Sequence, residues 1–258
     1  MDLLEEMMDL SGMETDVDIV FVVDANNSMR PIWDKLEESV SIISERVKEY
    51  AEASSMQKIG RLRIKIVWFK DFYYCGDTAY GESLFFEMPA EKEKLKDFVV
   101  NVNLSGSGPE AESSLEALTI AARSDFTNGG TFRRHFIVLF TDAPAHPFED
   151  FYVFSSQDGK NGCEVTKYPD HMPKNLKEFI DTWNVYNNPE VGQELFGLDE
   201  MPTKLDMTGR RLVLLAPNSY PWTEMEYEMN NLVRMDWNSW NDCGLNMDEV
   251  CKIISFTI

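Results

Sequence analysis

The chain has 258 residues, 43% of them hydrophobic, enough to bury a sizeable core in one large α/β domain. Its 45 acidic residues against 24 basic ones leave a net charge of −21, which repels phosphate backbones and anionic lipid, so neither nucleic acid nor a membrane is an expected partner. No run approaches the ~18 apolar residues of a spanning helix, the stretch Met1-Asp-Leu-Leu-Glu-Glu-Met-Met8 lacks the positive region of a secretory signal, and Cys75, Cys163, Cys243 and Cys251 show no Cys-x-x-Cys spacing; a cytoplasmic protein with reduced thiols is expected.

Residues 1–16 read as an acidic lead-in, and 17–258 as a single domain, because no Pro/Gly/Ser-rich linker or internal repeat divides them. Asp18-Ile-Val-Phe-Val-Val23 is apolar enough for a strand buried on both faces, and it delivers Asp24 to its C-terminal end. Ile32, Leu36, Val40, Ile43 and Val47 recur at spacings of three and four, predicting one amphipathic helix with Pro31 in its first turn and Ser28 as its cap. Arg61 to Phe69 reads as a second strand and Ser83 to Glu87 as a short third one. Helices are expected at about 91–100 and 112–124, on either side of the loop Asn103-Leu-Ser-Gly-Ser-Gly-Pro-Glu-Ala-Glu112.

His135-Phe-Ile-Val-Leu-Phe-Thr141 predicts another buried strand, ending at Asp142. The next thirty residues, 143–172, show no periodicity and read as an insert at the rim of the sheet, aromatic over Phe148 to Phe154. Leu176, Phe179, Ile180 and Trp183 define a helix, 184–209 are irregular, and Arg211 to Ala216 is a buried strand closed by Pro217. A helix near 223–230, a strand near Asn231 to Met235 and a last helix complete the domain; Asn246 with Glu249 forms a capping-box pattern, and Met247, Val250, Cys251 and Ile254 face inward. Trp237 and Trp240 read as packing rather than as a binding platform.

Two strands thus carry an Asp to their C-terminal ends, where open parallel sheets gather their ligand sites. With the side chains of Asp24-Ala-Asn-Asn-Ser28, they form an oxygen-only donor set suited to a hard divalent cation. Other chemistry is poorly served. Gly-x-Ser-x-Gly, Gly-x-Gly-x-x-Gly and the phosphate-loop pattern are all missing, and Cys163 with His171 makes at most two zinc ligands. Of the histidines, His135 begins a strand and reads as packing, while His146, four residues past Asp142, lies within reach of the crevice.

These residues resemble the von Willebrand factor A domain family and its metal-ion-dependent adhesion site, in which an Asp-x-Ser-x-Ser loop, a second-loop Thr or Asp and a third-loop Asp hold a divalent ion. Asp24 and Ser28 match the first loop and Asp142 the third; Asn26 stands where the family has Ser or Thr. Aligned on Leu115-Glu-Ala-Leu118, the second loop puts Pro109 at the family's Asp, with Ser107 or Glu110 as the substitute ligand. Further likeness to bacterial stand-alone A domains of stress and tellurite-resistance loci runs through Phe69-Lys-Asp-Phe-Tyr73, Thr141-Asp-Ala-Pro144 and Ala216-Pro-Asn-Ser-Tyr-Pro-Trp222. The resemblance implies a three-layer, Rossmann-like α/β fold: a central, mostly parallel six-stranded sheet with one antiparallel edge strand, between helices. It further implies a non-catalytic recognition domain in which Asp24, Asn26, Ser28, Glu110 and Asp142 hold Mg²⁺ or Mn²⁺, and the ion accepts an acidic side chain of a partner protein, in a bacterial stress-response setting. Two alternatives stay open: a metal-free scaffold that binds through residues 143–172, and a metal-assisted hydrolase with His146 or Glu110 as base.

Overall fold

The most apolar run of the chain forms the middle of the sheet. β1 (Glu14–Asp24) pairs in parallel with β2 (Lys58–Phe69) on one side and with β5 (Phe132–Phe140) on the other. A computed structural model describes residues 14–55, 58–106, 111–127, 132–148, 168–185, 209–237 and 246–256. β6 (Arg210–Ala216) and β7 (Leu232–Asp236) extend the parallel sheet beyond β5. At the opposite edge, β3 (Tyr80–Glu82) and β4 (Phe86–Met88) both run antiparallel to β2. The order is β3-β2-β1-β5-β6-β7, with β4 sharing the edge position of β3. The expected single edge strand is therefore two. Ser83 explains the break: its hydroxyl accepts the Ile66 amide at 3.0 Å and donates to the Leu84 carbonyl at 2.8 Å, replacing ladder bonds between the two segments.

Alternation along the strands divides the core into two layers. Ile19, Phe21 and Val23 of β1, with Leu62, Ile64, Ile66, Phe136, Val138 and Phe140, face one side. There they meet α1 (Arg30–Ser39), α2 (Ile43–Ser55), α4 (Lys92–Val100) and α8 (Met247–Phe256). Val20, Val22, Val67, Phe69, Ile137 and Leu139 face the other side, under α5 (Ser114–Ala122), α6 (Leu176–Val185) and α7 (Trp222–Glu228). A short α3 (Phe72–Cys75) follows β2. The result is the three-layer, Rossmann-like α/β arrangement with one antiparallel edge. Among the described residues no helix is long and apolar enough to cross a membrane.

Several boundaries differ from the expectation. β1 begins at Glu14, so the last residues of the supposed lead-in are strand, paired with Lys58 and Ile59. The predicted single helix after β1 is two, because the chain turns at Val40–Ile42 before resuming at Ile43. Both halves keep the same apolar face, so spacing alone does not reveal the break. Ser28 does not cap a helix: it lies exposed in a 3₁₀ turn (Asn27–Met29), and Met29 occupies the cap position of α1 with no side-chain bond. Asn246 does cap, its side-chain oxygen accepting the Asp248 amide at 3.0 Å. Trp237 is buried in the core, as packing requires; Trp240, Cys163, Cys243, residues 149–167 of the predicted insert and residues 186–208 lie outside the described residues.

Candidate functional site

The chain runs from β1 outward to β2 on one side, and later from β5 outward to β6 on the other, so the β1/β5 seam is where the strand order reverses. The crevice at such a switch point, past the C-terminal ends of the strands, is where α/β sheets bind ligands. Three strand ends converge on it. β1 contributes Asp24, β2 is followed by Lys70 and Asp71, and β5 by Thr141 and Asp142. The register puts Val23 opposite Phe140, so Asp24 faces Thr141, whose hydroxyl donates to Asp24 Oδ2 at 3.4 Å.

The first loop is held from several directions. Trp33 Nε1 donates to the Asp24 carbonyl at 2.8 Å, and the Ala25 amide to the Phe69 carbonyl at 2.8 Å. The Asn26 amide donates to Asp24 Oδ1 at 2.8 Å, which fixes the carboxylate's rotation. On the far side, the Ser105 amide donates to the Ala25 carbonyl at 3.2 Å, and the buried ammonium of Lys70 to Ser105 Oγ at 2.8 Å. Gly106 has φ +111°, and a Cβ there would lie 2.8 Å from Asn26 Oδ1; the position is closed to larger residues both by conformation and by space.

Glu112, which the sequence reading did not assign to the site, is its most unusual member. It is only 4% exposed, and Asn26 Nδ2 donates to its Oε1, while Oε2 is buried with no hydrogen-bond partner among the described residues. Its backbone ties the second loop to the third, the Glu112 amide donating to the Pro144 carbonyl and the His146 amide to the Glu112 carbonyl, each at 3.0 Å. Ser113 Oγ accepts the Phe72 amide at 3.0 Å and links the same loop to the end of β2. His146 Nε2 lies 3.4 Å from Asp71 Oδ2. One turn into α5, fully buried Glu116 accepts the Tyr168 hydroxyl at 2.9 Å.

Burial dominates the electrostatics, and neighbouring carboxylates add to it. Burial, reinforced by Asp142, pushes the Asp24 carboxyl up to about 7, against the opposing pull of the Asn26 amide, Thr141 and Lys70. Burial pushes Glu112 up to about 9, with Asp24, Asp71 and Asp142 adding to the effect. Glu116 rises to about 7 through burial, partly offset by its own backbone and by Tyr168. A buried carboxylate cluster of this kind is relieved either by protons or by a cation.

Of the predicted ligands, Asp24, Asn26, Ser28 and Asp142 are drawn to one end of the seam, and Glu110, with Ser107 and Pro109, lies outside the described residues. Asn26 differs from the expected role in that its amide nitrogen is committed to Glu112, leaving Oδ1 as the only donor it can offer an ion. Among the described residues no three His, Cys, Asp or Glu side chains are arranged around one ion position. A divalent ion at this seam would rest on the Asp24 and Asp142 carboxylates, completed by neutral oxygens. The donors fit a hard cation: all are oxygens, the orphaned Glu112 oxygen lies in the same electrostatic neighbourhood, and among the described residues Asp24, Asp71, Glu112 and Asp142 stand against the Lys70 ammonium. Lys70, Asp71 and Glu112 escaped the sequence reading, although the first two directly follow a strand end, the position that singled out Asp24 and Asp142.

No family model matches the chain, and no curated protein matches it. Among solved structures, the pilus adhesin SpaC from Lactobacillus rhamnosus GG, in its open conformation, is similar at 13% identity with a TM-score of 0.48, over 94% of this chain and 31% of the adhesin. Proximal thread matrix protein 1 from the mussel byssus is similar at 11% identity with a TM-score of 0.41, over 95% of this chain and 49% of that protein. This chain therefore spans about a third of the adhesin and half of the matrix protein. Likenesses this distant carry no argument about function.

Proposed function

We propose that the chain is a non-catalytic protein-recognition domain of the von Willebrand factor A type, binding its partner through a divalent cation at the β1/β5 seam. One observation carries the reading. Burial makes the Asp24 carboxylate costly to ionise, and Asp142, which follows the adjacent parallel strand, adds to that cost at a topological switch point, beside a buried Glu112 oxygen with no hydrogen-bond partner among the described residues. In this reading Asp24, Asn26, Ser28 and Asp142 hold Mg²⁺ or Mn²⁺, with Glu110 of the second loop as the remaining candidate ligand. The ion, when bound, supplies a Lewis-acid position for a carboxylate. The chain's own residues do the rest: the Asn26 amide and Thr141 orient the Asp24 carboxylate, Lys70 braces the loop through Ser105, and Glu112 holds the Asn26 side chain. The partner contributes an Asp or Glu side chain. A cytoplasmic setting belongs to the same reading and rests on the sparse cysteines without Cys-x-x-Cys spacing, while a role in a bacterial stress response rests on the sequence resemblance alone.

The test is thermal unfolding of chelator-treated protein as Mg²⁺, Mn²⁺ or Ca²⁺ is added. An ion that binds only the native state stabilises it by about 2.7 kcal/mol at a hundredfold excess over its dissociation constant. The midpoint should rise with Mg²⁺ or Mn²⁺ in the wild-type protein and stay put in Asp24→Asn. A flat response at millimolar ion would remove the cation from the account.

A further inference from the structure

Beside the crevice lies a second concave surface that ion binding does not use. A groove of about 210 Å³ runs between α1 and α4, lined by Arg30, Asp34 and Glu37 on one side and by Val100, Asn103 and Leu104 on the other. Both walls lead into the site. Arg30 follows the Asp24–Ser28 loop, and Leu104 precedes Ser105, which is bonded to Ala25 and Lys70. The volume falls below the roughly 300–1,000 Å³ of small-molecule pockets and suits one or two side chains of a docked peptide.

Charge along the groove has an order. Arg30 stands at the crevice end, and Asp34 and Glu37 follow along the helix at about 6 and 10 Å, from a rise of about 1.5 Å per residue. Glu37 pairs with Lys96 at 3.8 Å, with the two side chains 44% and 42% exposed, so solvent leaves that pair weak and easily displaced.

We infer that this groove docks an extended segment of the protein partner, with a Lys or Arg set against Asp34 and Glu37, two or three residues from the acidic side chain that enters the crevice. The inference rests on the crevice reading above. Counted from Arg30 at the crevice end of the groove, the spacing follows from the helix: an extended chain advances about 3.3 Å per residue, so 6–10 Å corresponds to two or three residues. The sign follows from complementarity, the acidic residue meeting Arg30 and the crevice and the basic residue the two carboxylates. The aliphatic stem of that basic residue would cover Val100, an apolar side chain left 54% exposed on the groove wall.

The experiment is an NMR titration of the isotope-labelled full chain, in Mg²⁺, with the peptide Gly-Glu-Gly-Gly-Arg-Gly and a control carrying Gln in place of Arg. The Arg peptide should shift the amide resonances of Asp34, Glu37 and Asn103 in a saturable way. The double variant Asp34→Asn/Glu37→Gln, on the outer face of α1, should bind it about five- to tenfold more weakly, the worth of two exposed ion pairs. Equal affinity for the two peptides, equal affinity of variant and wild type, or no shift at millimolar peptide would overturn the groove. Titrating Mg²⁺ alone separates this from the crevice reading: groove shifts without ion-induced shifts at Asp24–Ser28 sustain the groove and sink the ion, and the reverse pattern sinks the groove.

Discussion

Asp24, Glu112 and Glu116 are all carboxyls that the fold holds near neutrality rather than in their usual acidic range, and each is destabilising when forced to ionise. Glu116 makes the cleanest test, because its side chain bonds Tyr168 rather than a proposed ligand. Its folded pKa, about 7, lies above the ordinary 4.5, so the native state keeps a proton that the unfolded chain gives up. Stability from this residue is intact below pH 4.5 and is lost as pH climbs through 7. Glu116→Gln keeps the acceptor for Tyr168 and removes the penalty. Chemical denaturation should show the variant gaining about 3 kcal/mol over wild type between pH 4.5 and pH 8. A pH-independent difference would mean that Glu116 is charged and satisfied in the folded protein.

At the scale of elements, the opposite end of the sheet is fastened by an ion pair. Arg63 on β2 grips Asp18 on β1 with two bonds of 2.6 and 2.7 Å, and the Thr127 amide adds a third at 2.6 Å. Phe85, between the two edge strands, lies under the guanidinium at 4.4 Å. Asp18 is buried and Arg63 nearly so, which makes the pair valuable mainly by not being broken. Arg63→Met alone should cost about 3–5 kcal/mol, by stranding a buried carboxylate, whereas the double variant with Asp18→Asn should recover most of that loss. Additive losses in a double-mutant cycle would contradict the pairing. The alternation of Leu62, Ile64 and Ile66 against Arg61, Arg63 and Lys65 made β2 readable in the sequence; the destination of Arg63 was not, since Asp18 and Thr127 reach it only through tertiary structure. The break between α1 and α2 was hidden for a related reason, because hydrophobic periodicity passes unchanged through a turn whose two sides face one core layer; the split of β3 from β4 was hidden because it rests on the Ser83 hydroxyl accepting the Ile66 amide, a contact that only the folded sheet makes.

For the molecule as a whole, strand identity and the three layers were legible because both faces of the central strands must be apolar, and the chain writes that requirement as nearly uninterrupted runs. The candidate site was legible where it sits at strand ends, at Asp24 and Asp142. Glu112 was not, since a Glu ahead of a helix reads as an ordinary solvent-facing residue; only the closure of the second loop over the third shows it buried against Asn26. The surplus of acidic groups at the seam, in a chain of net charge −21, is what the cation reading explains and a purely structural reading leaves costly. The most direct measurement is Mn²⁺ titration followed by electron paramagnetic resonance, which counts the free ion. The account predicts one tightly held ion per chain, displaced by Mg²⁺ and lost in Asp142→Asn. A free-ion signal undiminished by the protein, or binding that survives both Asp24→Asn and Asp142→Asn, would contradict it.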